Sequence, residues 1–165
     1  MRYFTSDTHF FHRNVIEYCS RPFRDVFEMN EALIERWNSV VGVDDEVVHV
    51  GDVFMGPSGK WKGVFERLNG RIVLIRGNHD YKRNVILNLG FAEIHKTLEM
   101  EIEGKRVLLR HIPDYERAVE YDFHICGHVH EKWKVRGNII NVGVDVWDYY
   151  PRTWSELMKG FEYES

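Results

Sequence analysis

Two hydrophobic patterns divide this chain. Up to Leu89, short apolar runs alternate with stretches whose apolar positions recur at helical spacing. From Ile94 onward, strand-like runs dominate. Arg2–Ser6, Glu46–Val50 and Arg71–Arg76 read as strands, the third through the unbroken run Ile72-Val73-Leu74-Ile75. Glu28–Val41 reads as an amphipathic helix, with Leu33, Ile34, Trp37 and Val41 on one face. Trp61–Leu68 reads as a helix stopped by Asn69-Gly70, and Tyr81–Leu89 as one stopped by Gly90. Between Ile94 and Ile112 the pattern predicts two strands joined at the turn-prone Glu103-Gly104. Asp122–Cys126 follows as a strand, then Lys132–Arg136 and Asn138–Val142 as a hairpin around Gly137. A last helix begins near Thr153, whose spacing to Glu156 matches a capping box. Alternation first and strand-rich chain second predicts an α/β fold with strands stacked as two sheets and helices outside, rather than one doubly wound sheet.

Composition narrows the class without naming a function. The 165 residues suit one domain spanning 1–165, able to bury roughly 70% of the surface its unfolded chain exposes. A hydrophobic share of 44% and a charged share of 29% are those of a globular protein. The net charge of −4 supplies no global basic field, so no long nucleic acid is expected as partner, while a local phosphate site stays open. Arg2 leads directly into Tyr3-Phe4-Thr5-Ser6-Asp7, unlike a signal peptide, and no run is long enough to span a membrane. Cys19 and Cys126 lack metal-type or redox-type spacing. They are read as reduced thiols of a cytoplasmic protein in preference to a disulfide.

The candidate chemistry sits where strands end. Five clusters carry it: Asp7-Thr8-His9, Gly51-Asp52, Gly77-Asn78-His79-Asp80, His111 and Gly127-His128-Val129-His130. Each falls at or just after a predicted strand, where open α/β sheets gather ligands. Together they offer carboxylates, imidazoles and one amide, a mixed oxygen and nitrogen set suited to Mn, Fe, Zn or Ni rather than to Ca or Mg alone. In an extended segment residues i and i+2 point the same way, so Asp7 with His9, and His128 with His130, can each aim two donors at one centre. A lone Asp-x-His is an ordinary solvated turn. All five clusters in this order are not.

This motif set resembles that of the calcineurin-like metallophosphoesterases, a superfamily of binuclear metal hydrolases, from Asp7 to Asn141-Val142-Gly143. The opening Ser6-Asp7-Thr8-His9-Phe10-Phe11-His12 is similar to that of small bacterial, archaeal and phage-borne members. The resemblance implies a four-layer α/β/β/α sandwich of two mixed sheets flanked by helices. It implies Asp7, His9 and His130 on one metal, Asn78, His111 and His128 on the other, and Asp52 bridging them. His79 matches the family's catalytic histidine and Asp80 the acid that orients it. His111 departs from the pattern, because Arg110 and Ile112-Pro113 replace the small neighbours often found there. His124 is its competitor, but lies inside an apolar strand, where a hydrogen-bonded core histidine is expected. His49 and His95 read as structural and Cys126 as a buried small hydrophobe.

The implied cofactors are two divalent transition-metal ions, Mn²⁺ first, with Ni²⁺, Fe²⁺, Zn²⁺ or Co²⁺ as alternatives. The implied reaction is phosphoester hydrolysis by a metal-activated hydroxide, aided by two ions about 3.5–4 Å apart. Retention of His79 favours a phosphodiesterase acting on a small nucleotide or nucleic-acid end, since an alkoxide leaving group gains most from an acid. The competing readings are a phosphomonoesterase or phosphoprotein phosphatase, and a catalytically silent metal-binding interaction module. Three groups are candidates for holding substrate: His12, Arg21 and Trp147. Their bland readings are a surface residue at a helix start, a solvated turn and aromatic packing under a loop. A homodimer is expected only by family analogy.

Overall fold

The computed structural model describes residues 1–80 and 83–164. In chain order the elements are β1 (Arg2–Thr5), α1 (Arg13–Tyr18), α2 (Val26–Val40), β2 (Glu46–His49), α3 (Trp61–Phe65), β3 (Arg71–Ile75), α4 (Arg83–Leu89), β4 (Glu93–His95), β5 (Thr97–Ile102), β6 (Lys105–Arg110), α5 (Tyr115–Ala118), β7 (Phe123–Cys126), β8 (Val135–Arg136), β9 (Ile139–Asn141), β10 (Arg152–Thr153) and α6 (Trp154–Glu164). They build two five-stranded mixed sheets, ordered β10-β1-β2-β3-β4 and β5-β6-β7-β9-β8. β1 through β4 run parallel, as do β6, β7 and β9, while β10, β5 and β8 pair antiparallel at or toward the edges.

Alternation along the strands makes two cores from one run of apolar residues. In β3, Ile72 and Leu74 face one way and join α1–α4, with Leu33, Trp37, Trp61 and Ile86. Val73 and Ile75 face the other way, into the space between the sheets with Val48, Val107, Ile125 and Ile140. This explains why the β3 run is apolar without a break: it is covered on both faces. The layered sandwich is therefore as the sequence implied. Its fourth layer is thin. The outer face of the second sheet is covered by the single turn of α5, through Ala118 against Cys126 and Ile139. The longer α6 instead sends Trp154 and Leu157 into the core between the sheets.

Local signals hold with shifted bounds. Asp25 caps α2 by accepting from the Glu28 amide at 2.8 Å. The Thr153–Glu156 capping box forms in both directions. Glu103 and Gly104 both have positive φ (52° and 78°), as the tight turn between β5 and β6 requires. Three expectations change. The span read as two strands from Ile94 holds three, because β4 completes the first sheet before the chain crosses at Lys96 to start the second. The short elements α1, α5 and β10 carry too few residues for a periodic signal. Trp61–Leu68 is helical only to Phe65, with a 3₁₀ turn before it. The first two residues of the predicted helix Tyr81–Leu89 lie outside the described residues.

The two sheets meet at one end. Ser6 bridges to Gly143, and the Val144 amide donates to the Ser6 carbonyl at 3.0 Å. This junction brings the carboxyl ends of β1, β2 and β3 against those of β6, β7 and β9. No helix among the described residues is long and apolar enough to cross a membrane.

Candidate metal centre

Every sequence cluster reaches that junction, but not by the extended geometry expected for Asp7/His9 and His128/His130. Asp7, His9, Asp52, His128 and His130 all have positive φ, between 48° and 71°. Non-glycine residues rarely adopt this left-handed conformation, and concentrated local strain of this kind marks functional loops. Tight left-handed turns, rather than strand alternation, aim these side chains inward. Glycines let the loops touch. A Cβ on Gly51 (φ 102°) would lie 2.5 Å from His111 Nδ1, and one on Gly127 would lie 2.5 Å from Asp7 Oδ2.

Two carboxylates and a ring of imidazoles face one another with polar atoms left over. Asp7 Oδ2 accepts from Ser6 Oγ (2.7 Å) and from the His128 amide (2.9 Å). Its Oδ1 is buried without a partner, as is His9 Nε2. These two atoms lie 3.6 Å apart, and His9 Nε2 is 3.5 Å from Asp52 Oδ2. His111 donates from Nδ1 to the Val50 carbonyl (2.6 Å), which turns Nε2 toward Asp52 Oδ2 (3.2 Å) and Asn78 Oδ1 (3.0 Å). His130 Nε2 is 3.8 Å from Asp7 Oδ1. The His128 ring packs edge-on to His111, centroids 5.3 Å apart. The 3.5–3.8 Å separations around Asp7 Oδ1 and His9 Nε2 are long for direct hydrogen bonds. Donors bonded at about 2.1 Å to one ion stand roughly 3.0–3.4 Å apart. The orphaned Asp7 Oδ1 and His9 Nε2, both fully buried, therefore fit a bound cation. Four groupings among the described residues bring three donor atoms close enough to share an ion: Asp7/His9/His130, Asp7/Asp52/His111, His9/Asp52/His79 and Cys19/His130/Asp145.

The electrostatics agree. Burial opposes ionisation of Asp7 and Asp52, but the surrounding imidazoles outweigh it and hold both carboxyls far below their ordinary range. Burial likewise opposes charge on His111, yet Asp52 and Asp7 push its pKa up to about 9. In metal-stripped protein this gives a signed expectation. A histidine raised from its ordinary value near 6.5 stabilises the fold fully below about pH 6.5, and that contribution is lost as pH rises through about 9. The melting temperature of chelated protein should therefore fall across pH 6.5–9. Divalent ions, which compete with that proton, should stabilise progressively more over the same window. Thermal scans with and without chelator test both halves, and a flat profile would contradict them.

Three sequence expectations are corrected. Asp80 does not orient His79. Its Oδ2 accepts from the Asp52 (2.7 Å) and Gly77 (2.8 Å) amides and its Oδ1 from Val53 (3.1 Å). Asp80 thus knits the β2 and β3 loops together, while Asp52 Oδ2 takes up His79 Nδ1 at 2.8 Å. Arg21 is not a solvated phosphate contact. Its side chain is buried against Asp145 (2.9 and 3.0 Å) and donates to the carbonyls of Asp7 and Thr8. Trp147 is core, with Nε1 on the Asn141 carbonyl and its ring against Gly160. His12 stacks on His9, with the two Nδ1 atoms 3.0 Å apart. Burial and the neighbouring His9 pull its pKa down to about 4. We therefore assign it as a neutral acceptor from His9 Nδ1–H, which leaves the His9 Nε2 lone pair facing the centre.

The structural readings fare better. Buried His49 accepts from the Gly51 amide and meets Thr8 Oγ1 at 3.0 Å. His124 spends both ring nitrogens on the backbone of Leu108 and Asp114, so His111 alone of the two faces the centre. Cys19 and Cys126 are free. Sequence reasoning missed Asp145, whose Oδ2 lies 3.4 Å from His130 Nδ1. The available signal was a lone acid within Val142–Trp147, since a carboxylate in an apolar stretch needs a buried partner.

Comparison with known proteins gives the family and the fold. The chain is 37% identical to the uncharacterised protein MJ1445 of Methanocaldococcus jannaschii, over 97% of this chain and 90% of that one. It is 31% identical to the gene 66 protein of mycobacteriophage L5, over 88% and 86% of the two chains. The crystal structure of AQ665 from Aquifex aeolicus superposes with a TM-score of 0.79 at 29% identity, covering 96% of this chain and 98% of that one. The calcineurin-like phosphoesterase superfamily domain matches residues 3–144, which hold every cluster described above. With its Asp and His clusters, a possible metal-binding set, gathered where two mixed sheets meet, this chain belongs to the calcineurin-like phosphoesterase superfamily.

Proposed function

We propose that this protein is a binuclear metal-dependent phosphodiesterase. The observation that carries the reading is the donor set itself: Asp7 Oδ1 and His9 Nε2 are buried without partners, and Asp52 Oδ2 stands between His9 and His111. Asp7, His9 and His130 would hold one ion, Asn78, His111 and His128 the other, and Asp52 both. Mn²⁺ suits this mixed oxygen and nitrogen set. When bound, two such ions supply positive charge against phosphoryl oxygens and acidify water toward neutral pH.

The chain's own groups do the rest. His12 fixes the tautomer of His9, and the Asn141 side chain, donating to the His130 carbonyl at 2.9 Å, steadies the His130 loop. Arg21 clamps the Asp7-Thr8 backbone, so the first carboxylate is pre-positioned. His79, its side chain 39% exposed, is held through Nδ1 on Asp52, which leaves Nε2 for the open side. There it donates a proton to the departing oxygen of an alkoxide leaving group.

Hydrolysis of bis-p-nitrophenyl phosphate beside p-nitrophenyl phosphate, after chelation and re-addition of Mn²⁺, Ni²⁺, Zn²⁺ or Mg²⁺, tests this. Metal-restored cleavage favouring the diester is expected. Preference for the monoester would make the protein a phosphatase, and no cleavage with two ions bound would make it a binding module. His79→Ala should lower kcat by about 10²–10⁴ on an alkyl-ester substrate. The loss should be smaller for a nitrophenolate leaving group, which needs no acid, and metal content should be unchanged. Loss of an ion in that variant would move His79 among the ligands.

A further inference from the structure

A cleft of about 170 Å³ opens beside the centre, sharing Asn78 and His111 with it, and its other polar walls are Arg76, Lys96 and Arg110. Topology explains the convergence. Arg76 follows β3 and its amide bonds the His95 carbonyl of β4; Lys96 is the crossover residue between the sheets; Arg110 ends β6 opposite Thr97 of β5. Three cations from both sheets thus meet at one strand-end rim. No acidic side chain lines this cleft among the described residues, although the protein carries a net charge of −4. Arg110 is paired with Asp114 at 2.6 Å. Arg76 and Lys96 have no ion pair among the described residues, and Arg76 Nε is a buried donor without an acceptor. Uncompensated guanidinium and ammonium groups beside a phosphoester centre match a second phosphate, with the planar guanidinium suited to two of its oxygens. Arg76 and Lys96 also line an adjoining groove of about 390 Å³, where Leu87, Phe91 and Ile94 offer apolar surface to an attached nucleoside and the acidic Glu93 is already paired with Arg71 and His95.

We propose that Arg76, Lys96 and Arg110 form a subsite for a second phosphate, so that the substrate is a nucleotidyl phosphodiester bearing a further phosphate beside the scissile one. This deepens the phosphodiesterase reading and rests on it for the reaction, but not for the binding.

The test compares thymidine 5′-(p-nitrophenyl phosphate) with the same compound carrying a 3′-phosphate. Loss of one charge-assisted contact is worth about tenfold. The wild-type protein should therefore prefer the 3′-phosphorylated compound by about tenfold or more in kcat/KM, mainly through KM. Arg76→Gln and Lys96→Gln should bring that ratio toward one, and Arg76→Lys should restore part of it. Separately, calorimetry in chelator should detect thymidine 3′,5′-bisphosphate binding to metal-free protein, weakened about tenfold in either Gln variant. Preference that grows further with oligonucleotide length marks a nucleic-acid end, and preference that stops at one phosphate marks a small nucleotide; both uphold the subsite. Equal kcat/KM for the two esters in active wild-type protein would overturn it and leave the phosphodiesterase reading intact. Bisphosphate binding lost in the Gln variants, without hydrolysis of any ester, would sink the enzyme reading and keep the subsite. Bisphosphate binding unaffected by both variants would overturn the subsite.

Discussion

Asp52→Asn is expected to lower metal-restored diester hydrolysis by about 10³-fold or more. The reason is local and geometric. Asp52 Oδ2 is the oxygen that faces both halves of the centre, 3.5 Å from His9 Nε2 and 3.2 Å from His111 Nε2. Its Oδ1 is already committed to the His79 amide at 2.9 Å. An asparagine that preserves this amide contact must place its NH₂ where Oδ2 was, so that a donor replaces an anion between the two donor groups. Charge that would balance two divalent ions is lost, at several kcal/mol, with each 1.36 kcal/mol about tenfold in rate. Metal analysis should show loss of at least one ion, while far-ultraviolet circular dichroism stays unchanged because the substitution is nearly isosteric. Full diester hydrolysis with two ions bound to the variant would remove Asp52 from the bridging position.

Arg21→Met should show the largest stability effect. The Arg21 and Asp145 side chains are 0% and 1% exposed, and the guanidinium also serves two backbone carbonyls of the first ligand loop. Removing one partner of a buried pair leaves an uncompensated charge, typically costing about 3–5 kcal/mol. At about 2–4 °C per kcal/mol for a chain of this size, the melting temperature should fall by roughly 10 °C. The double variant Arg21→Met/Asp145→Leu should regain much of that stability, since neither charge is then stranded. It should not regain activity, because His130 Nδ1 loses its carboxylate neighbour. A raised KM with an unchanged melting temperature would instead return Arg21 to the solvent-facing phosphate contact that its sequence context suggests.

Arg21 shows where sequence reading stops. In Arg21-Pro22-Phe23-Arg24 it has the local signature of a turn, and nothing nearby announces Asp145, 124 residues away. Asp80 is similar. It adjoins His79, so an orienting role is the natural local inference, yet its three acceptor contacts go to amides set by the β2–β3 register. Trp147 follows Asn141-Val142-Gly143 in sequence and ends in the core because α6 folds back over it at Gly160. In each case the side chain's chemistry was legible and its partner was not.

The sequence by itself determined the layered α/β architecture and the strand-end positions of Asp7, His9, Asp52, Asn78, His111, His128 and His130. Both are written in short-range patterns: apolar runs that must be buried, and polar clusters that no core would accept at their ends. Only the tertiary structure decided which nitrogen of His9, His111 and His130 faces the centre, that Asp52 rather than Asp80 holds His79, and that Arg76, Lys96 and Arg110 share one cleft. Those features depend on registers and loop contacts between residues tens of positions apart. A hydrogen bond or an ion pair is specified by distances of a few tenths of an ångström, which emerge only after both sheets have packed.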